Sequence, residues 1–131
     1  MRFLSVSKNQ LKDLSEILYL PFLVTLNASE NQIGSIDFLS VARDSLHYLQ
    51  AVTLTKNKLT SLPALPLQRL SRLLLNENEI ATCAAFTGHQ TILHLDLSKN
   101  KLTSTAGIAN MPKLQQLELG ENEISEVASG L

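Results

Sequence analysis

The chain has one cysteine, Cys83, among its 131 residues, so no intrachain disulfide can form. It has no tryptophan, and aromatics make up 5% of it. Neither charge sign dominates. Eleven Lys and Arg against twelve Asp and Glu give a formal net charge of −1, which gives no support for nucleic-acid binding or a polybasic membrane patch, both of which need clustered Lys and Arg. Ala81 to Phe86, broken by Thr82, is among the longest apolar runs, far short of the roughly 18 residues of a membrane span. The N-terminal Met-Arg-Phe-Leu-Ser-Val-Ser-Lys lacks the apolar stretch of a secretory leader. With the lone cysteine, these features place the chain in a reducing intracellular compartment as an expectation. Asn27-Ala28-Ser29 fits the glycosylation acceptor pattern and reads as accidental in that setting.

What the sequence has in abundance is leucine at fixed intervals. In His94-Leu95-Asp96-Leu97-Ser98-Lys99-Asn100-Lys101-Leu102 the pattern is Leu-x-Leu-x-x-Asn-x-Leu. Leu95 and Leu97, two apart, face one side of a strand. Asn100 falls where the chain turns, and its amide can both donate to and accept from backbone groups. Five more copies align on Asn9, Asn31, Asn57, Asn78 and Asn122. Five residues before each asparagine stand Leu4, Leu26, Val52, Leu73, Leu95 and Leu117. Three before it stand Val6, Ala28, Leu54, Leu75, Leu97 and Leu119, and two after it Leu11, Ile33, Leu59, Ile80, Leu102 and Ile124. Every one of these positions is apolar, against about half in an average chain.

A single copy cannot bury its apolar face, so the copies must stack. The architecture expected is an α/β repeat: a leucine-rich-repeat solenoid, a right-handed horseshoe arc with a six-strand parallel concave sheet and short helical or 3-10 returns on the convex side. It occupies residues 1–131 as a single domain, and the six asparagines form a structural ladder along one edge. The return 37–49, with Phe38, Val41, Ala42, Leu46 and Leu49 at helical spacing, predicts a short helix. Leu62-Pro63-Ala64-Leu65-Pro66 predicts an extended or single-turn return. The first and last repeats lack a polar capping layer, which points to a longer protein or to ends covered by partners.

His94, Asp96 and Ser98 are the residue types of a hydrolase triad. Alternate strand residues lie roughly 6.6 Å apart, however, while a triad needs successive bonds near 3 Å. His47, His89 and His94 lack zinc-ligand spacing, and no second cysteine is present. No glycine run cradles a phosphate or dinucleotide. The chain reads as non-enzymatic, without metal, cofactor or small-molecule substrate, and Cys83 reads as a filler of a core slot.

Outward strand positions carry Thr25, Asn27, Thr53, Arg72, Leu74, Asn76, His94, Asp96, Gln116 and Glu118. This face is polar and mildly charged, suited to a protein partner, with Arg72, Leu74, Asn76, His94, Asp96, Gln116 and Glu118 as the binding candidates and Leu74 as an apolar anchor exposed by its register. The residue before each asparagine alternates strictly: Lys8, Glu30, Lys56, Glu77, Lys99, Glu121. Such a line pairs between repeats and fixes register, or else serves as a recognition stripe; pairing is the expectation.

The 22-residue period resembles the intracellular leucine-rich repeat subclass named for the phosphatase regulator of mitosis, which also holds the spliceosomal A-prime protein and an axonemal dynein light chain. Outside the repeat consensus, several stretches resemble the leucine-rich repeat family of the ciliary and flagellar radial spoke. They are Asp13-Leu14-Ser15 with Leu18-Tyr19-Leu20, Tyr48-Leu49-Gln50, and Ser104-Thr105-Ala106-Gly107-Ile108 with Pro112-Lys113-Leu114. The telling residue is Thr105, where the generic repeat has Leu or Ile. That resemblance implies a non-catalytic subunit of the spoke head, located in the cytoplasm and axoneme and bound to other axonemal proteins. The family continues with further repeat and a charged tail, whereas this chain stops at Leu131. A regulatory subunit that binds an enzyme such as a protein phosphatase through its concave face is the alternative.

Overall fold

The computed structural model describes residues 1–131. Six strands of three residues each run β1 (Phe3–Ser5), β2 (Thr25–Asn27), β3 (Ala51–Thr53), β4 (Arg72–Leu74), β5 (His94–Asp96) and β6 (Gln116–Glu118). All are parallel, and they lie in sequence order in one sheet. The register puts Leu4, Leu26, Val52, Leu73, Leu95 and Leu117 in one column. The leucine-rich repeat solenoid is therefore the fold, with the strands paired as the asparagine alignment requires.

The strands are short because each repeat spends its next residues on a turn. The middle residue of β2 to β5 is buried: Leu26, Val52, Leu73 and Leu95. Two residues on, Ala28, Leu54, Leu75 and Leu97 are fully enclosed, followed by Ile33, Leu59, Ile80 and Leu102. These columns join one continuous core of 28 buried apolar residues, the sum of six faces that no repeat could bury alone. In the terminal repeats Leu4, Leu11, Leu117 and Ile124 are only partly buried.

The residues just before the asparagines, Lys8, Glu30, Lys56, Glu77, Lys99 and Glu121, all adopt φ between 55° and 60°. That left-handed conformation costs a side-chain-bearing residue roughly 1–2 kcal/mol. It recurs because it turns the backbone N–H toward the next repeat: Glu30 donates to the Thr55 carbonyl at 2.8 Å, Lys56 to Asn76 at 3.1 Å and Glu77 to Ser98 at 3.1 Å.

The return at 37–49 differs from the helix the sequence predicts. A 3-10 helix covers Asp37–Val41 and gives way to turns at 43–45 and 47–48. A 3-10 helix repeats every three residues rather than 3.6, so the buried face is Ile36, Leu39 and Ala42, while Val41 is 77% exposed and Phe38 only partly buried. Leu46 and Leu49 then reach the core from the turns. A second 3-10 helix, Ser15–Tyr19, follows Asp13, whose carboxylate accepts the Ser15 N–H and hydroxyl at 3.1 and 2.6 Å. The double-proline return holds no helix, as its prolines dictate. Nowhere is there a helix long and apolar enough to cross a membrane.

Candidate protein-binding surface

The asparagine ladder ties together the repeats that carry the candidate surface. Asn78 donates from Nδ2 to the Leu54 carbonyl of the preceding repeat and the Leu75 carbonyl of its own, both at 3.0 Å, and its Oδ1 accepts the Leu59 N–H at 3.1 Å. Asn31, Asn57, Asn100 and Asn122 repeat this arrangement with the repeat before each of them. Asn9 makes only the local bonds, to the Val6 and Ser7 carbonyls. Each interior asparagine is thus a tie between neighbouring repeats, as well as a brace for its own turn.

On that frame the outward side chains form rows across the sheet. Strand register places Arg72 beside His94 and His94 beside Gln116, and a second row runs Thr53, Leu74, Asp96, Glu118. Repeats two and three contribute only small neutral groups to these rows, namely Thr25, Asn27, Ala51 and Thr53. The charge is confined to repeats four to six. His94 Nε2 lies 3.9 Å from Glu118 Oε2 and is buried with no hydrogen-bond partner, while Gln116 Nε2 donates to Glu118 Oε1 at 2.8 Å. Leu74 is half-buried between its register neighbours Thr53 and Asp96, not exposed as its register alone suggests, because adjacent strands stand about 4.8 Å apart and crowd the side chain from both sides. Arg72 and Gln116 are exposed, and Asn76 is half-buried with its Oδ1 accepting the Thr55 hydroxyl at 2.8 Å.

The triad geometry fails on contacts as well as spacing. Ser98 donates its hydroxyl to Asp96 Oδ1 at 2.7 Å and its N–H to the same oxygen at 2.9 Å. Asp96 thus closes a turn, as Asn27 does with Ser29 in the second repeat. Burial raises the Asp96 pKa, but the Ser98 bonds, Glu118 and the nearby His94 outweigh it, so the carboxyl is held below its ordinary value.

The other groups weighed for chemistry are dispersed. No cluster of three or more His, Cys, Asp or Glu side chains is arranged to hold a metal ion. His89 is buried away from the sheet, with its Nδ1 accepting the Thr91 and Ile92 N–H groups at 3.1 and 3.3 Å and its ring stacked on Phe86. Burial pushes its pKa down, partly opposed by the Leu65 and Leu67 carbonyls. Cys83 sits 1% exposed in the column of Leu14, Ile36 and Leu62, and burial pushes its thiol up to about 12. Thr105 occupies the same column, buried, and its hydroxyl accepts the Ala128 N–H at 2.7 Å. A leucine there would leave that N–H without its partner, which gives the departure from the repeat rule a physical reason.

The alternating charges do pair. Glu77 is 3.7 Å from Lys56 and 3.4 Å from Lys99, Lys56 is 4.0 Å from Glu30, and Lys99 is 3.7 Å from Glu121. The diagonal contact of His94 with Glu118 was not legible in the sequence. A 22-residue offset marks Gln116 as the neighbour, and only side-chain conformation brings Glu118 across.

A family model described as leucine-rich repeat matches residues 88–109. An uncharacterised leucine-rich repeat-containing protein of Schizosaccharomyces pombe is 40% identical over 88 residues, 63% of this chain and 14% of its own length. Leucine-rich repeat-containing protein 23 of Bos taurus is 36% identical across 99% of this chain and 43% of its own length. Its counterpart in Homo sapiens is 34% identical across 98% of this chain and 43% of its own length. The chain spans less than half the length of each of these relatives.

Proposed function

We propose that this chain, which belongs to the leucine-rich repeat proteins, is a structural subunit of the radial spoke head in the axoneme of cilia and flagella. Proteins of this family mediate protein–protein interaction and are typically without catalysis. The role here is that of a scaffold: an asparagine-tied frame that holds partner-facing side chains at fixed spacing.

The observation that carries the scaffold reading is the concave face of repeats four to six. Arg72, His94, Asp96, Gln116 and Glu118 are displayed side by side on three adjacent parallel strands. Polar groups held in fixed rows suit recognition of another protein surface. The axonemal setting rests on the resemblance of Ser104 to Ile108 and its flanking stretches to the spoke family, and a cytoplasmic, ciliary location follows from that setting.

Fractionation tests the reading. The natural protein should remain with detergent-extracted axonemes and leave together with spoke proteins under high salt. Release by detergent alone and co-purification with a protein phosphatase would replace it with the regulatory-subunit reading. Charge reversal at both Arg72 and Asp96 should strip a regulator from its enzyme while leaving a scaffold gripped over several surfaces in place.

A further inference from the structure

The edge of the solenoid opposite the asparagine ladder is made of the five-residue segments that lead into the strands, 20–24, 46–50, 67–71, 89–93 and 111–115. In each, the fourth residue is apolar and turns inward; Leu23, Leu49, Leu70 and Ile92 are completely buried. The residues before it are Phe22, Tyr48, Arg69, Thr91 and Lys113, and all are exposed except Thr91, which is half-buried with its hydroxyl donating to the Leu70 carbonyl at 2.6 Å. None of the five segments contains a carboxylate, although the chain has twelve. The acidic residues lie on the ladder edge, the concave face and the returns.

Phe22 is 61% exposed and Tyr48 39%, and their ring centroids are 6.1 Å apart. Arg69 lies over the Tyr48 ring with its guanidinium carbon 4.8 Å from the centroid. That cation–π contact orders the side chain without using its N–H donors. No arginine of the chain makes a salt bridge, whereas Lys56 and Lys99 are each shared between two glutamates. A surface hollow of about 400 Å³ lined by Arg2, Phe22, Val24 and Tyr48 adjoins the pair.

We infer that this edge, centred on Phe22, Tyr48 and Arg69, docks an extended acidic segment of a partner protein, with an aliphatic or proline side chain in the hollow and a carboxylate on Arg69. The charge argument selects the partner: unpaired guanidiniums on an edge free of acid attract carboxylate, which they bind through two parallel hydrogen bonds. The ring pair selects an apolar or proline side chain, as aromatic-lined grooves do for extended peptides. With the Phe22 and Tyr48 rings 6.1 Å apart and the guanidinium 4.8 Å from the Tyr48 ring, Phe22 and Arg69 lie within the span of roughly three residues of extended chain at about 3.3 Å each, and that span sets the motif.

Phage-displayed random dodecapeptides panned on the full chain test the assignment. Enriched peptides should carry Asp or Glu within about three residues of a proline or aliphatic residue. A synthetic copy of the strongest should lose at least roughly tenfold in affinity to Arg69→Glu and to Phe22→Ser. Both substitutions are on the surface, so melting temperature should hold, and Asp96→Asn on the concave face should leave peptide affinity unchanged. Failure to enrich, enrichment without acidic residues, or equal binding to Arg69→Glu would overturn the assignment. So would saturable binding of oligouridylate that Arg69→Glu abolishes when no acidic peptide competes with it, which would make the edge an RNA surface.

Discussion

A methyl group at Gly107 would stand 1.8 Å from the carbonyl oxygen of Cys83, one repeat earlier in the chain. Gly107 has φ of +89°, and its missing side chain is what lets the Ser104 to Ile108 turn lie against the backbone of the return before it. Gly107→Ala should cost about 2–4 kcal/mol, combining backbone strain with a clash against main chain that cannot swing away. Gly34→Ala should be nearly neutral, since nothing lies within 4 Å of the added carbon. Urea unfolding of the two variants gives the comparison; equal midpoints would show that the close approach does not matter.

Asn78→Ala removes the acceptor of the buried Leu59 N–H and a donor to two carbonyls. The expected loss is about 1–3 kcal/mol. Asn9→Ala loses only exposed local bonds and should cost a few tenths of a kcal/mol. Thermal melts that rank the two alike would count against the inter-repeat tie.

His89 supplies a pH dependence whose sign follows from its burial. Its pKa is lowered in the fold from the ordinary 6.5, so the unfolded chain binds the proton more readily than the native one. Stability is complete above pH 6.5 and falls as the pH drops through that value toward the lowered one. His89→Asn, which keeps a polar acceptor, should flatten the melting temperature between pH 7 and 5. A wild-type curve already flat over that interval would refute the assignment.

Glu77 lies between two lysines, so Glu77→Gln should lower the melting temperature slightly in dilute buffer and not at all in concentrated salt. Glu77→Lys should do more, by setting three like charges in one line. Salt-independent effects would assign the role of Glu77 to its left-handed backbone instead.

With its pKa at about 12 and its side chain enclosed, Cys83 should resist Ellman's reagent in the native protein and react at once in denaturant. Rapid native labelling would reveal an opening of the return.

The repeat, its register and the core columns were determined by the sequence alone, because a two-residue strand period and a side-chain amide at every turn leave one way to stack. Lys8, Glu30, Lys56, Glu77, Lys99 and Glu121 announced the charge ladder in the same way, since each stands beside an aligned asparagine and stacking brings equivalent positions together. Tertiary structure decided the rest. The helical spacing of Phe38, Val41 and Ala42 gave way to a 3-10 period, in which every third residue, Ile36, Leu39 and Ala42, meets the core. Leu74, exposed by its register, is half-covered by its neighbours. Glu118 reaches diagonally to His94 from a position that periodicity pairs with Asp96, and the Arg69 guanidinium settles over the Tyr48 ring, a contact that periodicity brings within reach without dictating it. Period fixes which backbones are adjacent; where long side chains settle depends on the space their neighbours leave.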